Sequence, residues 1–516
     1  MRRSVSLSTS MRRLHSRPMV RSESDGAKAS LLCPRRDTRR GAKERSVRER
    51  ETFFHTRAVL VVAVLASLLL SGGCLLQEPS TDKPNIVLIL TDDQDTRSLD
   101  YMPRVKAQLI DRGTTFDNGF VTDPLCCPSR ASILRGQYVH NHKIRGNTAP
   151  DAHDRFRDLG LEGSTVATWL HEGGYRTALI GKYMNAYNQS YIPPGWDYWF
   201  AAYGYGKYRK YNDNETLVDF PDESPSTDVL ADKLLAYLES TEGDPKPFFL
   251  YLATHDPHWP TTPSARYDGT FADEPLPRPP SFNEKDTSDK PKWVRHSPLL
   301  SDAQVASMRT HHRKRLESLQ AVDRMVGKLV DTLAAQGTLD NTYIFYTSDN
   351  GYHQGLHRLP SGKTTAYEED IRVPYVVRGP RVPTGRTLDH LVLNNDLAPT
   401  LAELGGVSVP SFVDGRSLAP LMVSSPPAPS DWRHSFLVEN YFSEHKAPDY
   451  RAVRTQEHVF VRYASGEREL YDLRQDPYQL ASQHASAGNA LLAELNSQLD
   501  ALKDCASDSC RTAEDE

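Results

Sequence analysis

Asn85-Ile86-Val87-Leu88-Ile89-Leu90 is an unbroken apolar run with β-branched content, the pattern of a central strand buried on both faces. Its carboxyl end delivers Thr91-Asp92-Asp93-Gln94. Arg176 to Ile180, Phe248 to Leu252 and Thr342 to Tyr346 also read as buried strands, and the last runs into Thr347-Ser348-Asp349-Asn350-Gly351. Between them the pattern predicts helices over Pro103 to Arg112, from Ser164 as N-cap to the Gly173-Gly174 stop, and over Asp228 to Leu238. A long helix is predicted from about Arg315 to Gln336. There Leu316, Leu319, Val322, Val326, Leu329, Val330 and Leu333 recur at three- and four-residue steps, so one face packs on a sheet. Repeated strand-helix-strand order predicts a mostly parallel, three-layer α/β sheet, with sites beyond the carboxyl ends of its strands. Both acidic clusters fall there.

Thr261 to Leu300 is rich in Pro, Asp, Ser and Lys and reads as a long surface excursion. The proline-rich stretch Ser424 to Ser430 marks a boundary. Beyond it, over 431–502, Tyr450 to Val461 and Glu469 to Leu473 predict short antiparallel strands of a small α+β subdomain, followed by a helix over Ala490 to Leu502. Residues 503–516 read as a polar tail in which Cys505 and Cys510 close a small loop.

The amino-terminal region has a different composition. Residues 1–57 are crowded with Arg and Ser and cannot bury enough apolar surface to offset their ordering entropy, so disorder is expected. The uncharged run Ala58 to Leu70 is short for a transmembrane helix and suits a signal-peptide core. It ends in Ser71-Gly72-Gly73-Cys74, a lipobox-like sequence whose leucine sits one place early. The reading is an exported protein, extracellular or anchored through a lipid on Cys74 to the outer face of the cell membrane. So long a basic stretch before the run points to a start at Met11, Met19 or a later non-Met codon. Residues 75–83 are a short linker.

A formal charge of -5 over 516 residues provides no field that would favour nucleic acid. Six cysteines are too few for a disulfide framework in an exported chain of this size. Read as a thiol in Cys126-Cys127-Pro128-Ser129-Arg130, Cys126 suggests a nucleophile, a metal ligand or half of a bridge. Asp92, Asp93, Asp349 and Asn350 offer oxygen ligands without His or Cys, which suits a hard divalent cation, calcium first and magnesium second. Either pair alone would read as turn and capping residues. Together with the cysteine motif they read as a metal site.

Thr91 to Gln94, Cys126 to Gly136, Gly181-Lys182-Tyr183, His255 to Pro260, Ser348 to Gly351 and Lys363 to Glu368 fall in an order that resembles the type I, formylglycine-dependent sulfatases. Leu125 to Leu134, His140-Asn141-His142, Pro194 to Trp199 and Asn341 to His353 are similar to the N-acetylglucosamine-6-sulfatase branch. The resemblance implies an alkaline-phosphatase-like catalytic domain over 84–430. It implies that a formylglycine-generating enzyme oxidises Cys126 to Cα-formylglycine, whose hydrate attacks the sulfate sulfur with one hydroxyl and releases sulfate through the other. Only Cys126 fits the Cys-x-Pro-x-Arg frame, which leaves Cys127 as a packing residue. By the same resemblance, Ca2+ is held by Asp92, Asp93, Asp349, Asn350 and residue 126, while Arg130, Lys182 and Lys363 hold the formylglycine hydroxyl and sulfate oxygens. His140 contacts the formylglycine, and His258 contacts the sulfate and protonates the leaving oxygen. His255 and His142 are weaker candidates. Many relatives carry histidine two residues after Lys182, where this chain has Met184; His258 inherits that proton, with Asn185 assisting.

The implied reaction is hydrolysis of a sulfate ester, the 6-O-sulfate of N-acetylglucosamine in a glycan. Hydrolysis of phosphoesters or phosphonates on the same fold, and non-catalytic binding of sulfated glycans by a lipoprotein, are the alternatives. The aromatic-dense stretch Tyr183 to Tyr208 reads either as a wall of the glycan cleft or as ordinary packing.

Overall fold

The computed structural model describes residues 83–188, 190–204, 209–221, 224–441 and 447–516. The expected leader, signal core, Cys74 and all but the last residue of the linker lie outside them. No helix among the described residues is long and apolar enough to cross a membrane.

The four apolar runs are strands β1 (Asn85–Thr91), β2 (Arg176–Gly181), β3 (Phe248–Ala253) and β4 (Thr342–Ser348). They lie side by side in the order β4-β1-β3-β2, all parallel. Six further strands widen this centre to a ten-stranded sheet. β1 is buried along its whole length because alternate side chains enter different layers. Ile86, Leu88 and Leu90 pack with Ala131, Val166 and Leu401 on one face. Val87 and Ile89 pack with Leu230, Leu234, Leu319 and Val326 on the other.

Three helices matter most for the site: α1 (Cys126–Arg135), α2 (Ser226–Thr241) and α3 (Asp302–Ala335). The predicted apolar stripe of α3 faces the sheet. The helix begins thirteen residues before the expected start, where Ser301 and Gln304 form a reciprocal cap. Its extra turns carry Arg309, His311, His312, Arg313 and Lys314, which have no apolar period to read. Residues 261–300 contain only a short 3-10 turn and the helix Lys292–Arg295, as an excursion should.

The carboxyl-terminal part forms a four-stranded antiparallel sheet of β5 (Ser435–Asn440), β6 (Tyr450–Thr455), β7 (His458–Tyr463) and β8 (Arg468–Asp472). Helix α4 (Asn489–Leu502) covers it with Leu495, Leu499 and Leu502.

Residues 503–516 are not a tail. Cys505 and Cys510 are bridged as expected, but the chain then forms helix α5 (Asp508–Asp515) with Cys510, Ala513 and Glu514 buried. Glu514 accepts hydrogen bonds from Arg433 Nε at 2.8 Å, Arg416 Nη2 at 3.0 Å and Tyr138 Oη at 2.5 Å. Arg433, itself buried, also forms a bidentate pair with Asp396. A polar composition concealed the helix because it is anchored mainly by charge. Glu514→Ala leaves Arg433 and Tyr138 short of a partner inside the protein, and is expected to cost about 3 kcal/mol. Urea unfolding monitored by far-UV circular dichroism checks this; an unchanged midpoint would mean that the segment is a frayed end after all.

Candidate active site

Parallel register brings the two acidic strand ends together. Thr91 of β1 lies opposite Ser348 of β4, so the residues that follow share one space beyond the sheet. Gln94 fastens the two ends: its backbone N–H donates to Ser348 Oγ at 2.9 Å, and its side-chain carbonyl accepts from Tyr346 Oη at 2.7 Å. Asp93 adopts a left-handed conformation, φ 65°, which Asp tolerates better than most residues. Its N–H donates to Asp349 Oδ1 at 3.2 Å, and Asn350 Nδ2 donates to Asp93 Oδ1 at 2.7 Å.

Cys126 is the first residue of α1, at its amino end. One turn later on the same face, Arg130 donates through Nε to Asp349 Oδ2 at 2.8 Å and through Nη1 to the Lys182 carbonyl at 2.8 Å. Its Nη2 lies 3.8 Å from Asp92 Oδ2. Lys182 follows β2, where Gly181 has φ 116° and a Cβ would sit 1.8 Å from the Ala253 carbonyl oxygen. Only glycine lets the strand turn there and send Lys182 inward. Lys182 Nζ then reaches Asp92 Oδ2 at 2.5 Å. Lys363 enters from a loop and donates to Asp93 Oδ1 and, at 2.8 Å, to Cys126 Sγ. His258, after β3, places Nε2 3.6 Å from Asp93 Oδ2. Its side chain is 23% exposed, whereas that of Asp93 is 4% exposed.

The charges in this enclosure shape one another. Burial would raise the Asp92 carboxyl, but Lys182, His258, Arg130 and Lys363 outweigh it and hold it well below the usual range. Burial likewise opposes ionisation of Asp93, and Lys363 with His258 brings it below normal. Asp349 is raised by burial and by its neighbour Asp92. Burial and Asp92 push the Cys126 thiol far up, so as an unmodified residue it is a poor nucleophile. His255 is buried, and that burial together with Lys182 holds it well below the ordinary histidine range, as a neutral ring.

A hard divalent cation fits this donor set. Ligand atoms of Asp92, Asp93, Cys126 and His258 lie within 4.8 Å of one another. Asn350 Oδ1 is buried with no hydrogen-bond partner among the described residues, and a buried acceptor of this kind is costly unless something binds it. Asp92, Asp93, Asp349 and Asn350 supply the carboxylate and amide oxygens that such an ion prefers.

Two motif-based expectations fail. Both ring nitrogens of His140 are engaged by groups other than Cys126: Nδ1 bonds Glu439 at 2.9 Å and Nε2 bonds the Cys505 carbonyl at 2.8 Å. One nitrogen is taken by β5 and the other by the segment at Cys505, so His140 braces these two together. His142 is also structural, with Nε2 on Ser132 Oγ at 3.0 Å, and burial takes it down to about 3. Met184 lies in the apolar core, as does Cys127. Asn185 Oδ1 is buried without a hydrogen-bond partner among the described residues, and its carbonyl accepts from His153 N.

The aromatic stretch is mostly packing, since Tyr183, Tyr187, Trp196, Trp199 and Phe200 are buried. The exposed ring beside the site is Trp259, 67% accessible and next to His258. The sequence pattern marks Arg315 only as the approximate start of the predicted long helix. In fact it donates through Nη2 to the Asp93 carbonyl at 2.6 Å and through Nη1 to the Pro257 carbonyl at 3.3 Å. It thereby fixes the acidic turn and the His258 loop to α3. A lone arginine in a polar helical turn carried no signal for this.

The sulfatase family profile matches residues 84–407, and a second, described as the C-terminal region of N-sulphoglucosamine sulphohydrolase, matches residues 357–505. The human N-acetylglucosamine-6-sulfatase is 34% identical over 503 residues, covering 86% of this chain and 89% of the human one. A Drosophila melanogaster protein named extracellular sulfatase SULF-1 homolog is 39% identical over 370 residues; the match covers 69% of this chain and only 33% of the fly protein. A solved structure described as a complex with its substrate D-glucosamine-2-N,6-O-disulfate superposes with TM-score 0.70 at 26% identity, covering 81% of this chain and 97% of the other. These matches take in both acidic strand ends, the Cys126 helix and the carboxyl-terminal sheet, and the chain belongs to the sulfatase family.

Proposed function

We propose that the protein is an exported, calcium-dependent sulfatase that removes the 6-O-sulfate of N-acetylglucosamine residues in a glycan, using a formylglycine made from Cys126. The observation that carries this reading is the convergence of Asp92, Asp93 and Cys126, with Asp349 and Asn350 hydrogen-bonded to Asp93 and Lys363 on the cysteine. The sugar is inferred from the human relative, similar along nearly its whole length.

Each side chain then has a distinct task. When formed, the formylglycine supplies as its hydrate a hydroxyl to attack sulfur and a second through which sulfate departs. Asp92, Asp93, Asp349 and Asn350 would hold Ca2+, which supplies charge stabilisation and lowers the hydroxyl pKa. Lys182, Lys363 and Arg130 are already fixed by hydrogen bonds, so they meet charge developing on the sulfate oxygens without reorganising. His258 stands at the partly open edge and donates a proton to the sugar oxygen as the S–O bond breaks. Exposed Trp259 beside it offers an apolar face to the sugar. Export, with lipid attachment at Cys74 where that cysteine is processed, places the enzyme where extracellular glycans are available.

The decisive experiment combines mass spectrometry of the Cys126 peptide, from protein made in its native host, with turnover of defined 6-, 3- and 2-O-sulfated sugars. An aldehyde mass and preference for 6-sulfated N-acetylglucosamine are expected. An unmodified thiol would overturn the mechanism, and preference for another position would overturn the substrate. His258→Ala is expected to slow sugar sulfate hydrolysis by about 100-fold or more. Nitrophenyl sulfate, whose leaving group needs no proton, should lose far less; equal losses would assign His258 to binding. Chelation should abolish turnover of both substrates, with Ca2+ restoring it better than Mg2+; full activity after exhaustive chelation would refute metal dependence.

A further inference from the structure

A groove of about 660 Å3, separate from the Cys126 cluster, runs between the loop after Asn141 and the carboxyl-terminal sheet. Its lining includes Lys143, Arg145, Arg451, Arg462 and Lys503, against the acids Asp449 and Asp504. Three of these cations have carboxylate partners: Arg451 with Glu439 at 3.3 Å, Arg462 with Asp500 at 2.7 Å and Lys503 with Asp504 at 2.5 Å. Lys143 and Arg145 have none among the described residues. Lys143 is exposed and donates only to the His140 carbonyl. Arg145 Nε is buried with no acceptor among the described residues.

The guanidinium of Arg145 is nevertheless held in place. It lies 4.1 Å from the centre of the Tyr441 ring, which Arg451 also approaches at 3.9 Å. Tyr441 is itself fixed through its hydroxyl, which donates to Glu439 Oε2 at 3.0 Å. A planar fork stacked in this way loses little further freedom when it meets an anion. The chain that carries Lys143 and Arg145 into this groove runs on to meet the start of α1. Asn147, two residues beyond Arg145, accepts a hydrogen bond at 2.9 Å from the backbone N–H of Cys127, in the first turn of α1.

We infer that Lys143 and Arg145 form a subsite for a second anionic group, a sulfate or a carboxylate, on the glycan whose ester is cleaved at residue 126. The inference rests on the glycan reading above and narrows it to polyanionic oligosaccharides. An uncharged chain bearing one sulfate would leave the Arg145 fork unused. A chain with a further anion would pair with it at little conformational cost.

Binding tests this without turnover. In full-length Cys126→Ala protein, calorimetry would compare three probes: 6-sulfated N-acetylglucosamine, a disaccharide adding a second sulfate, and a disaccharide adding a uronic carboxylate. The Lys143→Gln/Arg145→Gln variant is expected to bind at least one disaccharide about tenfold or more weakly, the value of one or two charge-assisted hydrogen bonds. Its affinity for the monosaccharide should stay within about twofold, less than one such bond contributes. The disaccharide that responds identifies the anion. Lys143→Gln alone, at an exposed position, provides the comparison if the double variant fails to fold. Equal weakening of all three probes, or of none, would overturn the subsite while leaving the glycan reading intact. Failure of every probe to bind the Cys126→Ala protein would sink both.

Discussion

Three buried carboxylates, Asp92, Asp93 and Asp349, must share one small volume with Arg130, Lys182 and Lys363. Each charge placed there without a partner would cost several kcal/mol. The pairs in the cluster cross between β1, α1, β2, β4 and the Lys363 loop. Charge balance therefore requires every one of these elements to be in register. With only its own side chains, the enclosure sets three permanent cations against three carboxylates. A divalent ion would tip it towards positive charge, which an anionic sulfate ester then offsets. The same electrostatics that fasten the strand ends thus favour both a hard cation and an anionic substrate.

Much of this was legible beforehand, and for a physical reason. A strand buried on both faces must be apolar along its whole length, so β1 to β4 announced themselves, and their polar ends marked the site. The spacing of Cys126 and Arg130 survived folding because four residues on a helix keep two side chains on one face. Less legible were features whose burial depends on charge. Helix α5 is anchored by Glu514 to Arg433 and Arg416, and the first turns of α3 carry polar residues around Arg315; neither has an apolar period. The tyrosines and tryptophans after Lys182 erred the other way. Composition alone could not tell a sugar wall from a core, and most of the described rings are buried among one another.

His140 shows where motif matching ends. Its place in the sequence resembled that of a residue touching the catalytic group, yet its ring is held by Glu439 and the Cys505 carbonyl. Glu439 is the penultimate residue of β5, and its N–H donates to the Thr122 carbonyl at 2.9 Å. The next residue, Asn440, donates to Asp123 Oδ1 at 3.0 Å. Thr122 and Asp123 lie just before Cys126. The segment entering α1 is therefore sutured to β5 by backbone and side chain, and Phe120 and Val121 pack in the same apolar cluster as Phe436 and Val438.

This explains why a small antiparallel sheet accompanies the catalytic sheet. The helix bearing Cys126 begins just after Thr122 and Asp123, and a helix start is otherwise prone to fraying. By clamping Thr122 and Asp123, β5 fixes the segment that leads into Cys126. Glu439 stays buried beside this clamp because His140 and Arg451 share its charge and the Tyr441 hydroxyl donates to it. His140 thus acts through position: with Arg451 it shares the charge of the Glu439 carboxylate, on the residue whose backbone N–H ties β5 to the segment entering α1.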